Sequence, residues 1–309
     1  MSRSLPVICL MGPTAAGKTA LAVDIAKTFG AEIISVDSTL VYRQMDIGTA
    51  KPTKLEQGGI PHYLLDILDP IQSFSAAQFR TQALARIKTI QQQGKVPLLT
   101  GGTMLYFHAL FNGLVDLPAA NPVIRQRLVD QSERFGVAFM HRQLQAIDPV
   151  AALRIHPNDP QRVQRALEVY EMTGQPLSQH LAAENQEGLP FSAIKLVLAP
   201  ESRQGLHEKI ALRFHAMLEK GFIEEVEALF QRGDLSLQHP AIRAVGYRQV
   251  WQYLAGQLDY EAMVFKSIVA TRQLAKRQFT WLRKMEDTLW FNADDVIKGD
   301  LYQVLRQHY

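Results

Sequence analysis

Short apolar runs alternate with amphipathic segments over the first third of the chain. The apolar runs predict strands near 5–11, at 31–37 (AEIISVD) and at 96–101 (VPLLTG). Apolar positions with helical spacing predict helices over 17–29 and about 75–92. Strands that alternate with helices in this order are typical of a parallel sheet covered by helices. We therefore predict an α/β fold.

The pattern changes after the first third of the chain. Residues 38–74 form a connection that is too long to be idle in a compact domain, and such loops usually bind something. Residues 116–190 have helical periodicity and little strand character, which predicts a helical insertion domain. The run FSAIKLVLAP at 191–200 is strand-like and is expected to rejoin the first sheet. We therefore predict a catalytic core built from 1–115 and 191–309, mostly helical after residue 200.

Composition narrows the class of protein. Of the 309 residues, 47% are hydrophobic and 20% are charged, as in a globular protein. No apolar run approaches the roughly 20 residues that cross a bilayer, and the first residues lack the small-residue cleavage site of a signal peptide. We therefore expect no membrane association and a cytoplasmic location. The net charge of +3, from 33 basic and 30 acidic residues, is too small to indicate nucleic-acid binding by itself.

Residues that bind metals or form disulfides are sparse. Cys9 is the single cysteine, so an internal disulfide and a cysteine-based zinc site are excluded, and its position in the first predicted strand favours packing. His207 and His215 lie eight residues apart, which is poor spacing for two ligands of one metal ion. These residues are therefore expected to face solvent or the protein interior.

A phosphate-binding motif of the form G-x-x-x-x-G-K-[ST] follows the first predicted strand and opens the first predicted helix. Glycines let the backbone N–H groups turn toward an anion, the helix N-terminus adds its positive dipole end, and the lysine adds a full charge. Thr19 would bind Mg²⁺. The motif leaves open whether the phosphate belongs to ATP, GTP or something smaller. The predicted phosphate loop consists of Gly12, Pro13, Thr14, Ala15, Ala16, Gly17, Lys18 and Thr19.

Asp37 ends the second apolar strand, about twenty residues after Lys18. In a parallel sheet it would reach the same carboxyl edge as the phosphate loop, where ligands bind. It could cap a turn with Ser38 and Thr39. A Mg²⁺-holding aspartate usually ends a later strand, which here reads PLLTGG and has no acid. We therefore interpret Asp37 as an acceptor-side general base.

A second glycine turn, in LLTGGTMLYFHAL at 98–110, joins a predicted strand to a helix. Thr103 stands at a predicted helix N-cap, and capping alone could explain it. Its location at the same sheet edge equally allows a contact with substrate. Both interpretations stay open.

The segment IVATRQLAKRQFTWLRK at 268–284 carries five positive charges, no acidic residue, and two aromatic rings, Phe279 and Trp281. A run of charges is often a solvated helix face. Basic groups interleaved with aromatic rings also fit RNA, because they contact phosphates and stack on unpaired bases. Other candidates for a polyanion surface are Arg162, Arg165, Arg243, Tyr247 and Arg248.

The order and spacing of several motifs are closely similar to a known family. GPTAAGKTALA, DSTLVYRQMDIGTAKP, PHYLLDILDP, GGTMLY, DPQRVQRALEV, AIRAVGYRQ and TRQLAKRQFTWLR resemble the tRNA dimethylallyltransferases of the bacterial type, the IPP transferase family, from residue 7 to beyond 284. The resemblance implies a P-loop NTPase-like core with a helical insertion. It also implies transfer of a five-carbon prenyl group from dimethylallyl diphosphate to N6 of the adenosine 3′ of the anticodon, with Mg²⁺ and with binding of the tRNA anticodon stem-loop. We expect the protein to be a monomer.

The resemblance also assigns roles to residues. Lys18, Thr19 and Arg213 would hold the diphosphate and its Mg²⁺, and Asp37 would take the proton from the acceptor amine. Two positions depart from the family pattern, since Ala16 replaces a usual serine and Leu40 a frequent glutamine. The positions that the resemblance implies for tRNA are Asp37, Ser38, Thr39, Leu40, Thr103, Arg125, Gln161, Arg162, Val163, Gln164, Arg165, Ile242, Arg243, Ala244, Val245, Gly246, Tyr247, Ala275, Lys276, Arg277, Gln278, Phe279, Thr280, Trp281 and Leu282.

Three other functions are considered. A P-loop kinase of a small metabolite would need ATP and would have no use for the basic aromatic segment. Prenylation of free adenine nucleotides would run the same chemistry without RNA. A noncatalytic RNA-binding protein with a decayed phosphate loop is disfavoured by the intact Lys18, Thr19 and Asp37. Whether ATP competes for the loop is left open.

Overall fold

The computed structural model describes residues 5–115, 117–182, 189, 191–295 and 298–309. The chain divides into two compact units, one made of Met1–Phe111 with Leu189–Tyr309 and the other of Asn112–Gly188. The domain boundaries predicted from the sequence fall next to residues 116 and 190, which lie outside the described residues.

Within the described residues, the first unit contains a six-stranded sheet in which every pairing is parallel. Its strands lie in the order β3-β2-β4-β1-β5-β6. The prediction of a parallel α/β fold is therefore confirmed. The strands are β1 (Val7–Met11), β2 (Ala31–Val36), β3 (His62–Tyr63), β4 (Val96–Gly101), β5 (Ala193–Ala199) and β6 (Thr288–Asn292).

Helices flank this sheet. Those before the second unit are α1 (Lys18–Phe29), α2 (Ala76–Gln92) and α3 (Met104–Asn112), whose last residue belongs to the second unit. Those after it are α9 (Arg203–Glu219), α10 (Phe222–Gln231), α11 (Tyr247–Leu254), α12 (Tyr260–Leu282) and α13 (Lys298–Arg306).

The sheet is covered on both faces, which explains why its strands read as continuous apolar runs. All five residues of β1 are fully buried, because this strand lies between β4 and β5. One face packs against α2 and α3, with Phe79 and Phe107 among its buried side chains. The other packs against α1 and α13, where Ile25 and Leu305 are buried. The loops after β1, β2 and β4 consequently meet at one edge.

The predicted strand at 191–200 is β5, and it pairs with β1 as expected. Two strands, β3 and β6, were not predicted from the sequence. β3 is only two residues long, and β6 lies on the outer edge of the sheet with partly exposed residues. Neither has the apolar run that marks the central strands.

The long connection 38–74 belongs to a separate core. Val41, Tyr42 and Met45 are buried against α9, α10 and α11, in a cluster that includes Phe222 and Tyr247. This packing fixes the connection beside the carboxyl edge of β2. Among the described residues, no helix is long and apolar enough to cross a membrane.

Within its described residues, the second unit has helices and no strand. A buried cluster that includes Leu128, Leu144 and Leu167 holds its helices together. The prediction of a helical insertion is confirmed in this respect. Its helices are α4 (Pro122–Phe135), α5 (Val137–Ile147), α6 (Pro149–Arg154), α7 (Pro160–Thr173) and α8 (Leu177–Ala182).

Candidate active site

The phosphate loop joins β1 to α1 in the conformation that its sequence predicts. A Cβ atom on Gly12 would lie 2.2 Å from the carbonyl oxygen of Leu198, so only glycine fits there. Gly17 has a φ of +79° and precedes α1 directly. Ala15 shares the left-handed region with a φ of +63°, a conformation that is strained for a residue with a side chain. Backbone N–H groups and the N-terminus of α1 therefore converge on one concave surface.

Lys18 carries the strongest electrostatic perturbation in this loop. Its Nζ donates a hydrogen bond to the Pro13 carbonyl oxygen at 2.6 Å. The residue is partly exposed, but its ammonium group is surrounded by protein. Burial and the neighbouring Arg213 lower the pKa of Lys18 to about 8, while Asp37 acts in the opposite direction. An anion bound beside Lys18 would relieve the desolvation cost of its charge.

Arg213, on α9, is the second cation at the site. Burial lowers its pKa, while Asp37 acts against that shift. Its Nη2 donates to the carbonyl oxygen of Thr49 at 3.5 Å, which links it to the long connection. Lys18 and Arg213 thus present two partly buried cations to the same space, as suits a diphosphate.

The two carboxylate oxygens of Asp37 have different surroundings. Its Oδ1 accepts hydrogen bonds from the Thr39 amide at 2.8 Å, the Thr39 hydroxyl at 2.6 Å and the Leu40 amide at 3.3 Å. No hydrogen-bond partner of Oδ2 is found among the described residues. One oxygen therefore fixes the turn and the other is available to a substrate. The capping interpretation and the general-base interpretation of Asp37 are compatible.

Thr103 lies just before α3, at the turn after β4. Its hydroxyl oxygen accepts a hydrogen bond from the Ser38 amide at 3.0 Å and lies 3.4 Å from the Ser38 hydroxyl. Thr103 thus ties the β4 turn to the residue that follows Asp37. Its side chain bonds across the sheet edge.

A cavity of about 250 Å³ opens where these loops meet. Its polar lining includes the phosphate loop, Asp37 and Arg213. Its apolar lining comes mainly from α9, α10, α12 and the segment before α11. A diphosphate joined to a short hydrocarbon matches this division. The apolar lining includes Ile210, Phe214, Met217, Phe222, Val245 and Leu274.

The chemistry of the cavity fits a magnesium ion. Thr19 lines it, as do Ser35 and Thr100, whose buried hydroxyl oxygens have no hydrogen-bond partner among the described residues. Mg²⁺ prefers oxygen ligands, keeps several waters and is usually bound through one or two protein oxygens together with substrate phosphates. No cluster of three or more histidine, cysteine or acidic side chains suited to a metal occurs in the described ranges. Such a cluster is not needed for a diphosphate-bound Mg²⁺.

Glu225, on α10, anchors the DIGTAKP motif, a role that sequence analysis missed. Its carboxylate accepts hydrogen bonds from the backbone N–H groups of Asp46 at 2.8 Å, Ile47 at 2.7 Å and Gly48 at 3.1 Å. It also accepts from the Tyr247 hydroxyl. Burial and the charge of Glu225 raise the pKa of Tyr247 well above its usual value. The signal that could have found Glu225 is the acidic pair in GFIEEVEAL.

Lys51 belongs to the same motif, and its buried side chain bonds to other residues of the long connection. It donates to the carbonyl oxygen of Tyr42 at 2.7 Å and forms ion pairs with Asp46 and Asp66, and only 5% of its side chain is exposed. Lys51, the lysine of the DIGTAKP motif, therefore has a structural role. It holds the long connection together beside the cavity.

The segment 242–247 lies between α10 and α12 and contributes both surface and interior positions. Arg243 is exposed, whereas Ile242, Gly246 and Tyr247 are buried. Val245 and Gly246 line the cavity, and Ala244 is partly buried. Contacts of this segment with the outside of a tRNA would come from Arg243, whereas Val245 and Gly246 could contact only a base that enters the cavity.

Helix α12 has two faces in the segment 275–282. Lys276, Arg277 and Thr280 are exposed, whereas Ala275, Gln278 and Leu282 are buried. Phe279 and Trp281 are partly buried, and the Trp281 ring contacts His108 edge-on at 5.5 Å between centroids. The two cations predicted to meet phosphates thus share one exposed face.

The remaining predicted tRNA positions belong to the second unit. Glu168 is fully buried and accepts from Arg125 Nε at 3.0 Å and from Arg165 Nη1 at 2.7 Å. Burial alone would raise the pKa of Glu168, but these hydrogen bonds bring it below its usual value. Arg125 and Arg165 are therefore held in place by one carboxylate. In the rest of this group, Gln161 and Arg162 are exposed, Gln164 is partly buried and Val163 is buried.

The chain is similar to a known protein family over most of its length. Residues 40–285 match the family model described as IPP transferase. A tRNA dimethylallyltransferase of Coxiella burnetii is 53% identical over 295 residues, which cover 96% of this chain and 95% of the relative. One of Methylococcus capsulatus is 54% identical over 288 residues, which cover 93% of this chain and 92% of the relative.

Solved structures give the same picture. The tRNA isopentenylpyrophosphate transferase of Bacillus halodurans has a TM-score of 0.71 and 35% identity, covering 98% of this chain and 95% of its own. A eukaryotic dimethylallyltransferase, solved acting on tRNA, has a TM-score of 0.81 and 29% identity, covering 98% of this chain and 78% of its own.

Proposed function

Since the chain belongs to the IPP transferase family, we infer that it transfers a dimethylallyl group to tRNA. We propose that dimethylallyl diphosphate is the donor and that N6 of the adenosine 3′ of the anticodon is the acceptor. One observation carries this proposal: the same cavity is lined by a phosphate loop, two partly buried cations, Asp37 and several apolar side chains.

The cationic side of the cavity suits the leaving group. As the carbon–oxygen bond of the donor breaks, negative charge grows on the diphosphate. The loop amides, Lys18 and Arg213 stabilise that charge as it develops. Thr19, with the unpartnered Ser35 and Thr100 hydroxyls nearby, would hold Mg²⁺, which when bound neutralises part of the diphosphate charge.

Asp37 suits the acceptor. The N6 amine is a weak nucleophile because its lone pair is delocalised into the purine, so it needs a base as its bond to carbon forms. The new N6–C1 bond forms, the C1–O bond breaks, diphosphate leaves, and Oδ2 of Asp37 takes the N6 proton. The hydrogen bonds to Oδ1 keep that oxygen pair oriented during the transfer.

The apolar lining has a separate task. The allylic carbon becomes positive as diphosphate departs, and water would capture it. Phe214, Met217 and Phe222 keep that side of the cavity apolar and would hold the five-carbon chain away from solvent. The adenosine must leave its stack to reach this space, since a stacked base cannot approach a carbon in a cavity.

The tRNA would bind through the exposed basic face of α12. Lys276 and Arg277 supply charge for the phosphates, and Thr280 is exposed on the same stretch. Arg243 adds an exposed cation in the same unit. We propose that the protein acts as a monomer in the cytoplasm, where its tRNA substrate is found.

The test is incubation with dimethylallyl diphosphate, Mg²⁺ and unmodified tRNA, followed by nucleoside mass analysis. We expect an adenosine heavier by one dimethylallyl group, and none when free AMP replaces tRNA. Consumption of ATP without prenylated adenosine would favour a small-metabolite kinase. Prenylated AMP would favour the nucleotide-prenylating alternative.

A further inference from the structure

Gln278 differs from its neighbours in α12 because its side chain points into the protein. Only 7% of the residue is exposed, whereas Lys276 and Arg277 just before it are exposed. Its Oε1 accepts a hydrogen bond from the Thr14 amide at 2.9 Å, and its Nε2 donates to the Gly102 carbonyl oxygen at 2.8 Å. One side-chain amide therefore joins the phosphate loop to the turn after β4.

The two partners fix the orientation of this amide. A backbone N–H must meet an oxygen and a backbone carbonyl must meet an NH₂ group, so the two ends of the glutamine cannot be exchanged. The contact is also close. A Cβ atom on Gly102 would lie 2.5 Å from Nε2 of Gln278, so a side chain at position 102 would push the Gln278 amide out of this arrangement.

A further hydrogen bond connects the turn after β4 to the end of β2, where Asp37 lies. Gly102 precedes Thr103, whose hydroxyl accepts from the Ser38 amide, and Ser38 follows Asp37. The connection therefore runs from Thr14 through Gln278 and the β4 turn to the base. Ala275, one turn earlier on the same helix, is buried with Leu206 and Ile210, so this part of α12 is rigidly packed.

We propose that Gln278 is a positioning residue that sets the distance between the diphosphate-holding loop and the Asp37 edge. This inference rests on the proposed function. Donor carbon and acceptor nitrogen must meet at bonding distance, and misplacement by about 1 Å can cost a factor on the order of 100. Because Gln278 belongs to the helix whose outer face would bind tRNA, it also joins that surface to the donor loop.

The experiment compares Gln278→Met with Gln273→Met. Gln273 is an exposed glutamine on the same helix and serves as the matched control. In Gln278→Met we expect kcat/KM for dimethylallyl diphosphate at saturating tRNA to fall about 100-fold, while the Kd for tRNA stays within about twofold of wild type. In Gln273→Met we expect both quantities to stay at wild-type values.

The pH dependence of kcat/KM in Gln278→Glu distinguishes the proposed role from a merely structural one. A neutral glutamic acid has the shape of glutamine, accepts from Thr14 and donates to Gly102, whereas its carboxylate cannot donate. We expect its kcat/KM relative to wild type to rise as the pH falls from 8 to 6. This variant keeps the test decisive if the methionine variant does not fold.

Three results would overturn the proposal. They are a constant Gln278→Glu ratio across pH, equal kinetics in Gln278→Met and Gln273→Met, or a loss of tRNA affinity with unchanged donor kinetics. A wild-type chain that transfers nothing to tRNA would instead refute the proposed function. The two failures are therefore distinguishable.

Discussion

Donor affinity should depend on pH through Lys18. Burial and Arg213 lower the pKa of Lys18 to about 8, so its ammonium group loses its proton within an accessible range. A bound diphosphate is an opposite charge and restores the pKa of Lys18 upward. Binding above pH 8 therefore requires uptake of a proton. The sign follows: affinity is highest below pH 8 and falls as the pH rises, since the free protein no longer carries the charge.

The magnitude follows from linkage. With a pKa of about 8 in the free protein, roughly 90% of Lys18 is protonated at pH 7 and roughly 10% at pH 9. If the lysine stays protonated in the complex, affinity falls about tenfold between these two values, mostly above pH 8. For an ordinary lysine the pKa is near 10.4, and the same interval would change affinity by only a few per cent.

Calorimetry with inorganic diphosphate at constant Mg²⁺ measures this once the titration of diphosphate itself has been subtracted. Titrations at pH 7, 8 and 9 in buffers of different ionisation enthalpy should give proton uptake that rises from near zero toward one. Two variants move the midpoint in opposite directions. Arg213→Gln removes a cation that lowers the pKa of Lys18 and should raise the midpoint, whereas Asp37→Asn should lower it. Affinity that is flat from pH 7 to 9, or midpoints that do not move, would refute the reasoning.

Three further substitutions test the remaining parts. Asp37→Asn keeps an Oδ1 acceptor for Thr39 but removes the base, so turnover should fall about 1000-fold while tRNA affinity, measured by filter binding, stays close to wild type; normal single-turnover chemistry would contradict the assignment. Lys276→Ala with Arg277→Ala should weaken tRNA binding and lower the slope of log K against log salt by about 2. An unchanged slope would mean that these charges face only solvent. In Glu225→Gln, an NH₂ group faces loop amides that need an acceptor. The free energy of unfolding, measured by denaturant titration, should therefore fall by about 2 kcal/mol, and the KM for the donor should rise. Glu224→Gln, at an exposed neighbour, is the control and should change neither quantity.

Much of the fold could be predicted because its signals are local. The strands β1, β2 and β4 are buried on both faces and therefore read as apolar runs, and α1 and α2 carry helical periodicity. The short β3 and the edge strand β6 lack such runs, since β3 has two residues and β6 has exposed ones. The strand order, with β1 between β4 and β5, arises from pairings between segments far apart in the chain.

The candidate site divides in the same way. The phosphate loop is recognisable from a contiguous motif, and Asp37 from its position at the end of an apolar strand. Both signals lie among residues that are neighbours in the sequence. Gln278 and Glu225 are different, because each bonds to backbone groups that lie 176 or more residues away. A polar side chain that satisfies distant main-chain groups leaves no periodic pattern in the sequence.

The amino-acid sequence by itself thus determined the parallel α/β core, the phosphate loop, the acid at the end of β2 and the basic helix. The tertiary structure alone decided that Lys18, Arg213 and Asp37 act on one another, that one oxygen of Asp37 is left for a substrate, and that Gln278 faces inward. The reason is physical: periodicity records which side of an element is buried, whereas electrostatics and hydrogen bonds depend on distances that only the folded chain sets.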